Sequence, residues 1–416
     1  MDLSKRDLTL DLARVFCVLL VVAIHLMMVG VGLGADGEIV VSRPLETQPW
    51  FAPATWLGQI MPLFFVVGGF ASLTAWRSLV RRGGTGAEYV RNRVLRLAQP
   101  ALPLYVFYTV ALIVILLIGV DPKLVDDTVG GAGAPLWFLA AYTLCQAVVP
   151  LMVRLHARAP RATLLGLLAG VILVDAARYT SGITEIGLLN LFIVWVLVQQ
   201  IGFFYADGWF DRRAWWQLLL IPAACYGVLA LLTIVLGGPY SVDMLNNLNP
   251  PTLPLVLLGL AQACILRLLK PVLSTLMKTT GARAVVFLAG TRLMTIYLWH
   301  LPIIVIFAGI SLLIPGAAPL PASPAWWWSR ILLYVLVLVA IFGLSFLVGR
   351  WEAPKEVTGV PPTGIVAVAA ALSFIPNLAV LWFFLDLPLA ILGSMLLSVA
   401  VLMLGRWPNR APHPQS

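Results

Sequence analysis

Apolar runs of about 20 residues follow one another from residue 12 to residue 405, divided by short polar or Pro- and Gly-rich connections. A run of that length, at about 1.5 Å rise per helical residue, crosses the ~30 Å hydrocarbon core of a bilayer. The pattern predicts twelve membrane helices, at about 12–33, 54–76, 101–119, 135–153, 163–179, 186–205, 215–236, 252–269, 285–314, 327–349, 364–384 and 387–405. The fold class is all-α, a polytopic transmembrane helical bundle. Loops are short except at 34–53, 77–100, 120–134 and the Pro-rich 315–326. Trp326-Trp327-Trp328, with Trp50, Trp56 and Trp137, falls where an interfacial aromatic belt belongs. Only Asp386 and Pro388 interrupt the last two runs, so a re-entrant pair is the alternative there to two full spans. No internal repeat divides the chain into related halves.

Composition agrees with the pattern. The chain is 61% hydrophobic and 11% charged, against about 25% charged for a soluble domain. Cys17, Cys145, Cys225 and Cys264 all lie inside apolar runs without a C-x-x-C pair and read as small buried apolar residues. The net charge of +9 forms no basic domain or tail that would call for nucleic acid. With the N-terminus inside, 21 Lys and Arg fall on inner segments and 4 on outer ones (Arg43, Lys123, Arg178 and Arg330), while Arg14 and Arg292 lie within helices. The acidic Asp36, Glu38, Asp121, Asp126 and Asp127 fall outside. This bias follows the positive-inside rule and puts both termini in the cytoplasm. Lys5 and Arg6 before an apolar run mimic a signal peptide, but no small-x-small site closes the run, which reads as a retained first helix.

Against this background a few polar residues stand out. In the first helix Arg14 and His25 are eleven residues apart, three turns plus about 20°, so they share a face and stand roughly 16 Å apart along it. Ionisable residues at such depth usually face a protein interior or a watery cavity, although an arginine that snorkels and a histidine that packs would look the same. Between the second and third helices Arg77, Arg81, Arg82, Arg91, Arg93 and Arg96 surround Gly83-Gly84-Thr85-Gly86. Arginine forks match phosphate oxygens, so this segment suits a cytoplasmic ligand bearing several phosphates, such as coenzyme A. Attraction to anionic lipid accounts for the same residues. The ninth helix carries Arg292, Tyr297, His300 and Pro302, with Tyr297 and His300 on one face, as a cavity lining requires. Gly68 and Gly69 in the second helix permit close helix packing. Asp175 with Arg178 forms either an ion pair or part of an acceptor site. The chain contains no P-loop, HExxH, GxSxG or clustered Cys/His set, so neither P-loop chemistry nor a metal is expected.

Five stretches carry a family resemblance: Arg14-x10-His25, Pro62-Leu-Phe-Phe-Val-Val-Gly-Gly-Phe70, the arginines Arg91, Arg93 and Arg96 ahead of Pro100, Leu136-Trp137-Phe138-Leu139, and Tyr297-Leu-Trp-His300-Leu-Pro302. In this order they resemble the integral-membrane acyltransferase-3 family over about residues 6–350. Gly68 stands where that family usually has serine, so no role is carried over to it. The resemblance implies a ten-helix acyltransferase core at 6–350, with 351–416 adding two transmembrane helices and a short cytoplasmic tail. It also implies an O-acyltransferase of the cell membrane with no bound cofactor. An acetyl or other short acyl group would pass from cytoplasmic acyl-CoA, a co-substrate, to a hydroxyl of an extracytoplasmic carbohydrate, glycolipid or small molecule. His25 is then the proton acceptor or the carrier of the acyl group, and Arg14 positions the donor. Arg91, Arg93 and Arg96 bind acyl-CoA, and Tyr297, His300, Trp137 and Asp175 bind the acceptor. His300 is the rival for the base role. The alternative is a secondary transporter or exporter of an envelope precursor or metabolite, which would need more intramembrane acidic residues and symmetrically broken helices.

Overall fold

A computed structural model describes residues 7–119, 131–352, 359 and 361–405. The loop charges read at Lys5, Arg6, Asp121, Lys123, Asp126, Asp127, Lys355, Arg406 and Arg410 lie outside the described residues. In chain order the elements are α1 (Leu8–Met28), β1 (Gly30–Leu33), β2 (Ile39–Ser42), α2 (Phe51–Gly58), α3 (Met61–Arg81), α4 (Gly86–Leu117), α5 (Leu136–Arg158), α6 (Pro160–Ser181), α7 (Leu189–Ala206) and α8 (Trp215–Ala230). There follow α9 (Leu253–Leu276), α10 (Thr280–Gly290), α11 (Leu293–Leu313), α12 (Pro324–Glu352), α13 (Thr363–Phe383) and α14 (Leu387–Gly405). Among the described residues twelve helical segments are long and apolar enough to cross a membrane, so the chain is a multi-pass membrane protein of the all-α class.

Three boundaries differ from the hydropathy pattern, and the last two runs follow it. The first helix stops at Met28, and Gly30–Leu33 pairs antiparallel with Ile39–Ser42, Gly30 opposite Ser42 and Leu33 opposite Ile39. Alternating Gly, Val and Leu suits a strand, and hydropathy alone does not distinguish it from helix. The arginine segment is no loop beyond residue 85. Thr85 caps α4, its hydroxyl accepting from the Glu88 N–H at 3.2 Å, so Arg91, Arg93 and Arg96 stand on the first turns of a 32-residue helix. The ninth run breaks into α10 and α11 at Thr291-Arg292. Glu352 of α12 supplies the new cap, accepting from the Met294 and Thr295 N–H groups at 2.8 and 3.0 Å. The last two runs are separate helices of 21 and 19 residues, about 31 and 28 Å long and each sufficient for a span. Asp386 caps the second of them through the Leu389 N–H at 2.8 Å.

The chain forms two compact units, divided after Leu20, Pro44, Ser78, Ala147 and Thr291. The first holds the described residues up to Leu20 with 45–78 and 148–291. Its centre is the close approach of α3 and α7. The rings of Phe65 and Trp195 stack 4.3 Å apart, and beyond them Gly69 faces Gly202. A methyl group on Gly202 would collide with the Val66 carbonyl oxygen, and one on Gly69 with the Gln199 carbonyl oxygen. Small residues here let two backbones touch, the usual solution where lipid offers helices no hydrophobic drive to associate. Ion pairs join helix ends: Asp7 with Lys270 at 3.0 Å, Arg77 with Asp207 at 2.7 Å and Arg267 with Asp211 at 2.6 Å.

The second unit holds 21–44, 79–147 and the described residues from Arg292 onward. The two C-terminal helices are built into it. Val94 and Leu95 of α4 share one apolar core with Val366, Ala369 and Ala370 of α13 and Ala400 and Leu404 of α14. Tyr105 donates its hydroxyl to Asn377 Oδ1 at 3.1 Å, and the hydroxyls of Thr109 and Ser394 bond at 3.2 Å.

Replacing Gly202 by Val should lower the stability of the detergent-solubilised protein by about 1–3 kcal/mol or more, because neither backbone can withdraw without opening the interface. A thermal unfolding midpoint equal to wild type would show that the glycine contact does not hold α3 to α7.

Candidate active site

The second unit brings two of the predicted residues into direct contact. Nδ1 of His25, on α1, and Nε2 of His300, on α11, are 2.7 Å apart and share a hydrogen bond across 275 positions of sequence. Their rings are parallel to within 5° with centroids 4.9 Å apart. His300 is completely buried, and His25 keeps part of its surface accessible. On the far side, Nδ1 of His300 donates to the backbone carbonyl of Tyr297, 2.6 Å away and one turn back on the same helix. Tyr297 in turn donates its hydroxyl to the Pro135 carbonyl at 2.7 Å. Its ring tilts against Phe138 at 4.9 Å, next to the buried Trp137. The Tyr-x-x-His and Trp-Phe stretches therefore meet as one wall, and its His300 bonds His25. Pro302, lacking an N–H, leaves the Leu298 carbonyl without its helical donor in the same turns.

α1 is continuous from Leu8 to Met28, so Arg14 and His25 keep their helical spacing. Arg14 is half-buried, and no hydrogen bond or ion pair holds it among the described residues. Arg292 is committed elsewhere: it donates to the Ser345 carbonyl at 2.6 Å and lies over the Phe346 ring.

The three arginines of α4 separate by helix face. Arg91 is buried and donates to the Gly359 carbonyl and, at 3.2 Å, to Asn92 Oδ1. Two residues on, about 200° around the helix, Arg93 lies 5.2 Å over the Tyr89 ring and is half-buried, and Arg96 is exposed. Arg93 and Arg96, three apart, share the accessible side.

Asp175 belongs to the first unit. Its carboxylate accepts from Asn190 at 2.8 Å, from the Tyr240 hydroxyl at 2.9 Å and from the Leu253 N–H at 3.0 Å. It binds the protein's own groups, and its neighbour Arg178 lies over Tyr179. Burial, and then the carboxylate itself, pushes the Tyr240 hydroxyl well above the ordinary phenol value.

Sequence reasoning did not single out His156. It is buried in the first unit, where its Nε2–H donates to Asp207 Oδ2 at 3.0 Å and Gln200 contacts its Nδ1. Burial raises the Asp207 carboxyl, but hydrogen bonds from His156 and Arg77 outweigh it and leave the group below the usual carboxylate value. The available signal was scarcity, since the chain has 4 histidines and this one sits in an apolar helix.

Among the described residues no group of three His, Cys, Asp or Glu side chains forms a metal-binding cluster. What the arrangement brings together is a hydrogen-bonded pair of imidazoles. A family profile described as an acyltransferase domain matches residues 7–350, most of the chain. No curated protein and no solved structure matches it. The matched range takes in His25 and His300, Tyr297 and Phe138, and Arg14, Arg91, Arg93 and Arg96, and the protein is a membrane-spanning acyltransferase belonging to the acyltransferase-3 family.

Proposed function

We propose that the protein moves an acetyl or other short acyl group from acyl-CoA on the cytoplasmic side of the cell membrane to a hydroxyl of an extracytoplasmic glycan, glycolipid or small molecule. The observation that carries this reading is the hydrogen-bonded pair of His25 and His300 on α1 and α11, in a chain whose basic residues crowd one side of the predicted bundle. The hydroxyl oxygen attacks the thioester carbonyl while His25 takes its proton. The C–O bond forms, the C–S bond breaks, and the departing thiolate of coenzyme A receives that proton from His25.

The donor side follows from charge. Arg14, with no hydrogen-bond or ion-pair partner among the described residues, is the group that positions the donor electrostatically. Arg93 and Arg96 share the accessible side of α4 and are suited to the phosphates of coenzyme A. Arg91 is assigned to holding the segment at Gly359, since its guanidinium is already bonded there. The acceptor wall is formed by Trp137 and the ring of Tyr297. A role for Asp175 in acceptor binding requires that it exchange a Tyr240 or Asn190 bond for the acceptor hydroxyl.

Mass spectrometry of envelope glycans and secreted metabolites, from cells with and without the gene, should reveal one product heavier by a single acyl group. Cells carrying only His25→Ala should match the deletion, because a general base contributes about 10²–10⁴-fold in rate. Arg14→Lys should also be impaired, since a point charge does not replace a planar fork. Identical mass profiles with and without the gene would contradict acyl transfer to any of these acceptors. For the donor site, the double variant Arg93→Ala/Arg96→Ala should raise KM for acetyl-CoA by about tenfold, within the range set by exposed and charge-assisted contacts. An unchanged KM would return both residues to a role at the lipid surface.

A further inference from the structure

Both nitrogens of His300 are engaged, one on each side. Its Nδ1 lies 2.6 Å from the Tyr297 carbonyl oxygen, an atom with lone pairs and no proton, so Nδ1 carries the hydrogen. In a neutral ring, Nε2 of His300 is then a bare acceptor. It faces Nδ1 of His25 at 2.7 Å, and a single proton fits between two ring nitrogens at that distance, so Nδ1 of His25 is the donor. A neutral His25 with its hydrogen on Nδ1 has its lone pair on Nε2. The chain of carbonyl, His300 and His25 thus leaves one basic nitrogen, on the residue of the pair that is not completely buried.

The ring geometry supports a directed bond rather than a stacked contact. The centroid separation of 4.9 Å nearly equals the 2.7 Å between nitrogens plus two ring radii, and the planes differ by 5°. Two imidazoles meet that condition when they lie edge to edge in a common plane, each nitrogen pointing along the line between them.

We propose that His300 is a positioning residue that fixes the tautomer and orientation of His25, so that Nε2 of His25 is the nitrogen that accepts the proton of the attacking hydroxyl. This rests on the reading of His25 as the general base. It removes His300 as a rival base and as an acceptor ligand, because it is fully buried and has no nitrogen left to offer. A neutral partner also suits the surroundings. An aspartate in its place would put a charge inside a membrane protein before substrate arrives, whereas the histidine pair is uncharged until His25 takes its proton. The imidazolium then formed donates Nδ1–H to His300, the same bond in the same direction, so no reorganisation accompanies the transfer.

The test measures transfer of labelled acetyl from acetyl-CoA to the endogenous acceptor in membranes of a deletion strain, with rates normalised to the amount of variant protein. His300→Leu removes the acceptor facing His25, while His300→Gln offers an amide oxygen near the position of Nε2. His300→Leu should lower the saturated rate by about 10- to 10²-fold, less than the loss in His25→Ala, with KM for acetyl-CoA within about twofold. His300→Gln should restore most of the rate. In a His25→Ala background, adding His300→Leu should cost nothing further, because a residue acting only through His25 has nothing left to position. A merely structural role predicts instead that the second change lowers the rate again and reduces the recovered protein. Full activity in His300→Leu, equal losses in the Leu and Gln variants, or an additive loss in the double variant would each overturn the proposal. Full activity in His25→Ala alone would overturn the base reading itself, and is distinguished from those outcomes by appearing before His300 is changed.

Discussion

Hydrocarbon neither donates nor accepts a hydrogen bond, so a polar group drawn into a membrane-spanning protein must be answered by another group of the same protein. Most of the polar contacts described above obey that constraint. Asp175 takes three donors from its own unit, and Arg292 gives its guanidinium to the Ser345 carbonyl. Glu352 answers the exposed N–H groups where α11 begins. Each of these groups is answered within its own unit. The histidine pair is of another kind. His300 is bonded on both sides, and on the proposed tautomer the second nitrogen of His25, a residue that is not completely buried, keeps its lone pair. A basic nitrogen with a free lone pair is what the proposed acyl transfer to a hydroxyl requires.

The same constraint explains how the second unit holds its site. The wall beside His25 comes from segments far apart in sequence, the turn at Pro135, Phe138 on α5 and Tyr297 on α11, linked by one hydroxyl-to-carbonyl bond and one ring contact. The two C-terminal helices lie beyond the range of the family match. They nevertheless pack on α4, whose first turns carry Arg93 and Arg96, through Tyr105, Asn377 and a shared apolar core. They buttress the helix that presents the basic residues.

Periodicity and length made the twelve spans legible, because an apolar run of about 20 residues is too long for a buried strand and too uniformly apolar for a helix facing water. The spacing of Arg14 and His25 was legible for the same reason, being internal to one helix. What escaped were features made by partners distant in sequence or by polar helix. α4 begins at Gly86 rather than residue 101, since its first turns are rich in arginine and carry no hydropathy signal. The break between α10 and α11 depends on Glu352, some 60 positions away, and no local residue announces it. The bond between His25 and His300 is the clearest case. Each histidine was recognisable as unusual, but one-dimensional pattern ranked them as competitors, and their geometry makes them partners. Asp175 also drew attention in the sequence, and its three donors, at Asn190, Tyr240 and Leu253, lie too far along the chain to be read from it.

On the proposed function the acyl group crosses from one side of the membrane to the other through this site. The direct measurement uses sealed inside-out and right-side-out vesicles from cells expressing the protein, supplied with labelled acetyl-CoA that cannot cross the bilayer. Label should reach the acceptor when acetyl-CoA is added outside inside-out vesicles, whose cytoplasmic face is exposed, and not when it is added outside sealed right-side-out ones. Equal labelling from both faces, or labelling only from the extracytoplasmic face, would contradict the account.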